Sequence, residues 1–471
     1  MINIEIQVAV AGAGSITDSG LFVYPEGVEL TGEDLGNFIN YHTGQMRSQY
    51  RERYRYYIGD HDILHTKPKG GDRPDNHIVY NLCNYAVDSF NGYFIGIPPK
   101  ITLEDKAANV ALKSWQDLNS FQDLLSELSK QADIYGRSYL LAYQDETSET
   151  RAAVINPQQA FMIYDDSIQH RRIAFVRYWY DDDATLHGDI YFADQIFHFD
   201  KDANYKSDSD KGSPNLFKQV PAIEFVENED RLGIVGQIQS LNNALDRALS
   251  QKANQNEYFD NAYLAIKGMR LPEDDEGNPQ MNIDGNQILY APDSENGEAE
   301  FLEKPDGDQM QENLINRLID SIFQVAKVSN LKDESFSGNS SGVAIKYKLL
   351  PMQNAAVNKE RKFTQALREF YAIIFTLVEP QPDIKDLSFK FTRNLPVNLS
   401  DEADTASKLE GIVSKETQLS TLSIVDDPQA EIKKMTAEDV TSMKAALATS
   451  QTNYDGGDLN EQKEPTNINK R

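Results

Sequence analysis

Apolar positions along the chain recur with two different periods, and the places where the period changes divide it. From Arg231 onward Ile234, Ile238, Leu241, Leu245 and Leu249 advance by four, three, four and four residues, which predicts a helix ending near Phe259. A second apolar stripe (Leu314, Leu318, Ile322, Val325, Val328, with Ile315, Ile319, Phe323 and Ala326 beside it) predicts a helix over 308–329. Between the two, Pro, Gly and Asp punctuate three strand-like pieces, a small β-rich insert. Neither helix has a self-contained core, so packing against further copies of the chain is expected.

Residues 344–379 read as one more helix, interrupted only by Pro351. At 1.5 Å per residue it would run on the order of 54 Å, longer than a small domain is wide. Pro351 lacks an amide donor and crowds the preceding turn, so a kink or restart is expected there. The stretch "SFSGNSSG", Ser335–Gly342, is a polar, flexible loop lodged between these two long helices.

Toward the N-terminus, residues 1–30 alternate apolar and polar around a Gly-rich turn, which predicts a short strand or extended arm. Thr31 reads as an N-cap, with Glu33 and Asp34 in the first turn of a helix reaching about Tyr57. Further helices are predicted over 76–92, 104–119 and 120–135, the last capped by Ser120 with Leu124, Leu125, Leu128 and Ile134 inward. The period then drops to two, and short aromatic and β-branched segments predict an antiparallel sheet over 136–227. A late strand is expected over 387–395 and short helices over 401–448, one capped by Ser414 and broken at Asp426–Pro428; the apolar-poor tail after 448 reads as disordered. The fold class is α+β, mainly α.

Composition narrows the functional classes. The chain has 471 residues, 74 acidic against 46 basic, a net charge of −28. That size calls for more than one domain or an extended body, and that charge disfavours tight binding to a phosphate backbone. The single cysteine, Cys83, excludes a disulfide framework and any multi-Cys metal site and points to a reducing folding compartment. The N-terminal stretch lacks a basic n-region, and Tyr371–Val378, the most apolar segment elsewhere, is too short to span a bilayer, so neither export nor a membrane is expected.

Three clusters could carry chemistry. "RSQYRERYRYY" interleaves Arg47, Arg51, Arg53 and Arg55 with Tyr50, Tyr54, Tyr56 and Tyr57, the composition of a nucleic-acid platform, yet Arg and Tyr fall on separate helix faces, as in an ordinary amphipathic helix. His61 and His65, with Asp62, have the spacing of a metal pair on a helix, but Pro68 and the Gly-rich run after it favour a mobile loop. Asp165, Asp166, Asp181, Asp182 and Asp183 sit where hairpin turns are expected, and turn geometry is the favoured account over a cation site. No Walker A loop, dinucleotide fingerprint, nucleophile elbow, H-E-x-x-H or zinc spacing occurs. No catalytic residue, metal or cofactor is assigned.

The order of elements, together with "VPAIEFVENEDRLGIVGQIQSLNNALDRALSQKANQNEYFDNAYLAI", "FSGNSSGVAIKYKLLPMQ" and "SKETQLSTLSIVDDPQAEIKKM", resembles the phage portal proteins of the SPP1-like family over about residues 40–440. The resemblance implies a ring, usually of about twelve subunits, at one capsid vertex, with a central channel for double-stranded DNA. It implies an elongated subunit: an N-terminal arm (1–30), wing (31–230), stem helix (231–262), clip (263–305), second stem helix (306–330), tunnel loop (331–343), a long kinked wing helix with a strand (344–400), crown (401–448) and tail (449–471). Lys332, Ser335, Phe336, Ser337, Gly338, Asn339, Ser340, Ser341, Gly342, Val343, Lys346 and Lys348 would then border the DNA path, with the three lysines as phosphate contacts; lysines on an exposed helix face account for them equally well. The acidic turn Glu273, Asp274, Asp275 and Glu276 is the candidate contact for the terminase large subunit.

Head-completion or adaptor proteins, capsid and scaffolding proteins are the other implied partners. The location would be the virion, with assembly in the host cytoplasm. Energy would come from the separate terminase, in keeping with the missing Walker A loop, and a weakly binding acidic wall would let DNA pass. Two rival readings stand beside this one: a metal-dependent nuclease or phosphodiesterase built on the Asp and His clusters, and an acidic scaffold or adaptor without a channel.

Overall fold

The computed structural model describes residues 7–9, 12–70, 74–201, 203–205, 212–260, 264–269, 275, 288–291, 297–301, 308–330, 342–394, 399–422, 424–425 and 428–452. By internal contacts the chain divides into two compact units, Met1–Asn394 and Leu395–Arg471.

The first unit begins with three short strands, β1 (Gln7–Ala9), β2 (Ser15–Thr17) and β3 (Phe22–Tyr24). Thr31 then caps α1 (Gly32–Tyr41), its hydroxyl oxygen accepting the Asp34 amide at 3.1 Å, as its position before two acidic residues predicts. One π-helical turn, His42–Met46, leads into α2 (Arg47–Ile58), so the expected helix to residue 57 is present with a wide turn inside it. After α3 (Leu82–Ile95) come β4 (Ile97–Leu103), α4 (Lys106–Leu118) and α5 (Phe121–Tyr135). Ser120 precedes α5 but does not cap it: its backbone is left-handed (φ 46°) and its side chain makes no cap bond.

The predicted sheet region resolves into β5 (Arg137–Gln144), β6 (Thr150–Ile155), β7 (Ala160–Asp165), β8 (Arg172–Tyr180), β9 (Leu186–Tyr191), β10 (Gln195–Phe199), β11 (Ser213–Pro214) and β12 (Ala222–Val226). Eight strands form one sheet in the order β1-β2-β3-β7-β8-β9-β10-β11, and β12-β5-β6 form another. The N-terminal arm is therefore part of the large sheet, joined by β3 running parallel to β7 with Phe22 opposite Ile163. Period-two alternation along β7 decides what each face covers. Phe161 and Ile163 pack with Phe22, Leu35 and Phe38 on the α1 side. Ala160 and Met162 pack with Tyr139, Leu141 and Ala222 of the smaller sheet on the other.

The long helices follow as α6 (Ile234–Asp260), α7 (Asp308–Ala326) and α8 (Gly342–Phe375), the last running through Pro351. Between α6 and α7, strands β13 (Leu264–Lys267), β14 (Ile288–Ala291) and β15 (Glu298–Phe301) make a sheet in the order β14-β13-β15, as the punctuation of that insert predicts. Strand β16 (Leu387–Thr392) pairs antiparallel with β4. The main core gathers apolar faces of α2, α3, α5, α6, α7 and α8, with Ile238, Leu245, Ile322, Phe363, Leu367 and Phe370 buried. Along α7, Met310, Leu314 and Val325 stay exposed.

The second unit holds α9 (Leu399–Lys408), α10 (Lys415–Leu419) and α11 (Pro428–Thr452). Ser414 caps α10 through the Thr417 amide, as expected. Helix α11 is a single element of 25 residues rather than a short one. Residues 453–471 lie outside the described set.

Candidate functional site

The candidate channel loop lies almost wholly outside the described residues: Lys332, Ser335, Phe336, Ser337, Gly338, Asn339, Ser340 and Ser341 belong to the undescribed stretch 331–341. Gly342 and Val343 open α8. What is described is the frame around that stretch. Helix α7 ends in a left-handed residue, Lys327 (φ 58°), after which Val328 is buried. The Ser329 hydroxyl then donates to the Lys348 carbonyl at 3.1 Å, tying the two flanks together a turn and a half into α8.

Lys346 and Lys348 are two residues apart on a helix, about 200° around the axis, so they face opposite sides. Lys346 is exposed and Lys348 half-buried. Beside Lys346 the exposed surface carries Tyr347 and Leu350, 73% and 45% accessible. Sequence reading passed over both, although i, i+1 and i+4 from a lysine fall within an arc of about 100° on a helix. Of the acidic turn in the insert, Asp275 is in a turn and exposed, while Glu273, Asp274 and Glu276 lie outside the described residues.

Three buried polar networks hold the long helices that frame this region. The first anchors α8. Lys359 is fully buried; its ammonium donates to Asp133 Oδ1 at 2.6 Å and the Ser129 carbonyl at 3.1 Å, and lies 2.8 Å from Glu227 Oε2. Its charge also faces the Phe90, Phe94 and Phe363 rings at 5.2–5.5 Å. Two carboxylates sharing one cation leave a surplus negative charge, and burial, together with the neighbouring Glu227, pushes the Asp133 carboxyl well above its ordinary range against the pull of Lys359.

The second network joins the two sheets to the start of α6. Glu224 on β12 accepts two bonds from Arg231 (3.0 and 2.8 Å) and one from the Tyr164 hydroxyl (2.9 Å), with Arg137 at 3.1 Å. Arg137 also donates to the Ser19 and Gly20 carbonyls, tying in the N-terminal hairpin. Burial alone would raise the Glu224 carboxyl; the two guanidiniums outweigh it and hold it at about 2. Gly136 makes the approach possible: with φ at +94°, a Cβ there would lie 1.9 Å from the Arg231 carbonyl oxygen.

The third network is a strap. Residues 76–82 run extended along α6, and four side chains of that helix, Asn254, Ser250, Asp246 and Asn242, accept the amides of Asn76, Ile78, Tyr80 and Leu82 at 2.5, 2.8, 2.9 and 3.0 Å. The match is geometric: four helical residues rise about 6 Å and two extended residues about 6.6 Å, so every fourth side chain meets every second amide. Asp246 also binds His61, Nδ1 to Oδ2 at 2.5 Å, and the other ring nitrogen faces the Tyr56 carbonyl at 2.9 Å.

His61 is thus an interior anchor in an ordered segment, not part of a mobile loop, and a 3₁₀ turn follows at Asp62–His65. His65 binds Asp60 instead, so the two histidines share no centre. The aspartate clusters are turns: Asp165 accepts Ser167 and Arg171, and Asp181 accepts the Asp183 and Thr185 amides. In the Arg and Tyr segment Tyr50 and Tyr56 are buried, Arg53 donates to the Tyr135 carbonyl and Arg55 pairs with Asp60. Among the described residues no group of three or more His, Cys, Asp or Glu could hold a metal, and no helix is long and apolar enough to cross a membrane.

The described residues form an α+β chain in which three buried polar networks fix the long helices. Residues 37–445 match the family described as "Phage portal protein, SPP1 Gp6-like", and the chain belongs to that family. It is 23% identical over 447 residues to the portal protein of Bacillus phage SPP1, a span of 86% of each chain. It is 22% identical over 444 residues to the portal protein of Clostridium phage phiCD119, covering 87% of this chain and 96% of that one.

Proposed function

We propose that the chain is the subunit of a portal ring at a capsid vertex, a structural conduit rather than an enzyme, through which double-stranded DNA is packaged and later leaves. The family match over residues 37–445 carries this reading. On it, α6 and α7 are the stem, the strands between them the clip, residues 331–343 the tunnel loop, residues 31–230 with α8 and β16 the wing, and residues 401–448 the crown. The exposed stripe Met310, Leu314 and Val325 on α7 is what a chain intended for close neighbours would leave uncovered.

On this reading the tunnel loop is carried on a fixed frame: Val328 is buried just after α7, and the Ser329 hydroxyl donates to the Lys348 carbonyl. Lys346 is the lysine whose face is open to a phosphate, and a net charge of −28 keeps DNA from lodging. Terminase would dock through the insert between α6 and α7, with Glu273–Glu276 as the candidate contact, and head-completion, capsid and scaffolding proteins would meet other surfaces of the same ring.

The test is a packaging assay with Lys332→Gln/Lys346→Gln portals. Assembly should be unchanged and the amount of packaged DNA reduced several-fold. Packaging at the wild-type level would remove the lysines from the DNA path.

A further inference from the structure

The strap and His61 meet on one carboxylate, and the hydrogen-bond inventory around that ring decides its charge. His61 Nε2 faces a carbonyl oxygen, the Tyr56 carbonyl at 2.9 Å, which can only accept. Nδ1 faces Asp246 Oδ2 at 2.5 Å, with the Asn242 amide nitrogen farther off at 3.3 Å. Both nitrogens must therefore carry hydrogen unless the carboxyl supplies the second proton. Asp246 is already taken up as an acceptor: Oδ1 receives the Tyr80 amide at 2.9 Å, and the Asn242 amide lies 3.3 and 3.2 Å from its two oxygens. With donors directed at both of its oxygens the carboxylate is the better satisfied form of Asp246, which favours the proton on the imidazole; both side chains are fully inaccessible.

We propose that the His61–Asp246 pair is a proton-controlled latch that fastens the strap 76–82 to α6, closed while both ring nitrogens are protonated and released when one proton is lost. A neutral ring would keep its hydrogen toward Tyr56 and turn a lone pair on the carboxylate 2.5 Å away. Asp246 would have to move, and it carries the Tyr80 amide and steadies Asn242, which in turn holds the Leu82 amide.

The other groups around the ring do not supply a competing charge. Tyr56 stacks on it at 4.5 Å, its hydroxyl pushed up by burial and by Asp62, and the Cys83 thiol on α3 is likewise pushed up by burial. Burial works against a charged His61, but the bonds to Asp246 and Tyr56 outweigh it and raise its pKa above the ordinary 6.5. A raised folded value fixes the sign: the stabilisation is complete below pH 6.5 and is lost as the pH climbs through the folded value, on the alkaline side. The inference stands apart from the portal reading, since it concerns the single subunit.

The test uses the full chain labelled with ¹⁵N-histidine, the His61 signal being assigned as the one absent from His61→Gln, together with hydrogen exchange of the strap read between pH 6 and 9. At pH 7 both ring nitrogens of His61 should resonate as imidazolium. Strap protection, corrected for intrinsic exchange, should fall by up to tenfold per pH unit once the ring begins to titrate. Asp246→Asn should flatten that dependence; where that variant or His61→Gln does not fold, strap exchange in the wild type decides. A neutral ring at pH 7, or strap protection constant from pH 6 to 9, overturns the latch.

Discussion

Replacing Lys359 by methionine removes one ammonium while leaving a side chain of similar length over the Phe90, Phe94 and Phe363 rings, so the loss isolates charge from packing. Asp133 Oδ1, Glu227 and the Ser129 carbonyl then lose their shared partner in a site where Lys359 and Asp133 are wholly inaccessible. Breaking a buried pair from one side costs about 3–5 kcal/mol, because a charge is left without compensation. With an unfolding entropy of about 2.1 cal/mol/K per residue, the 394-residue first unit has roughly 0.8 kcal/mol/K, so the melting temperature should fall by about 4–6 °C. Asp133→Asn should be milder, because Glu227 remains 2.8 Å from the Lys359 ammonium and still compensates it. Calorimetry at equal protein concentration reads both. A Lys359→Met melt within 1 °C of wild type, or an Asp133→Asn loss as large as that of Lys359→Met, would refute the reasoning.

Gly136→Ala should destabilise by about 2–4 kcal/mol, since a Cβ would meet the Arg231 carbonyl and the backbone is left-handed; denaturant titration checks it. Thr31→Ala should cost about 1 kcal/mol through the lost cap, and Thr31→Ser should restore most of it in the same titration. Glu224, held at about 2, contributes stability that is complete above the ordinary glutamate range and lost as the pH falls toward 2. Acid unfolding followed by circular dichroism should therefore show Glu224→Gln less stable than wild type at pH 6, with the gap closing below pH 3.

Much of the secondary structure was legible because it follows from local chemistry. The spacings along α6 and α7, the caps at Thr31 and Ser414, and the three strands between α6 and α7 all appear where pattern places them. Long-range pairing was not legible: nothing within residues 1–30 says that Phe22 will lie opposite Ile163, and "IPPKITL" hides β4 behind two prolines tolerated because its partner is one strand, β16. Ser120 misled because a cap residue in a tight inter-helix turn takes a left-handed backbone and loses the bond. The strap was missed since only apolar positions on α6 were counted. Asn242, Asp246, Ser250 and Asn254 repeat at four-residue spacing just as regularly, and a polar stripe of that kind beside an extended segment is the signal.

The most direct test of the portal assignment is the native mass of the purified protein together with negative-stain images. Closed rings of about a dozen copies around a central hole are the predicted result. A monodisperse monomer or dimer at high concentration would contradict it.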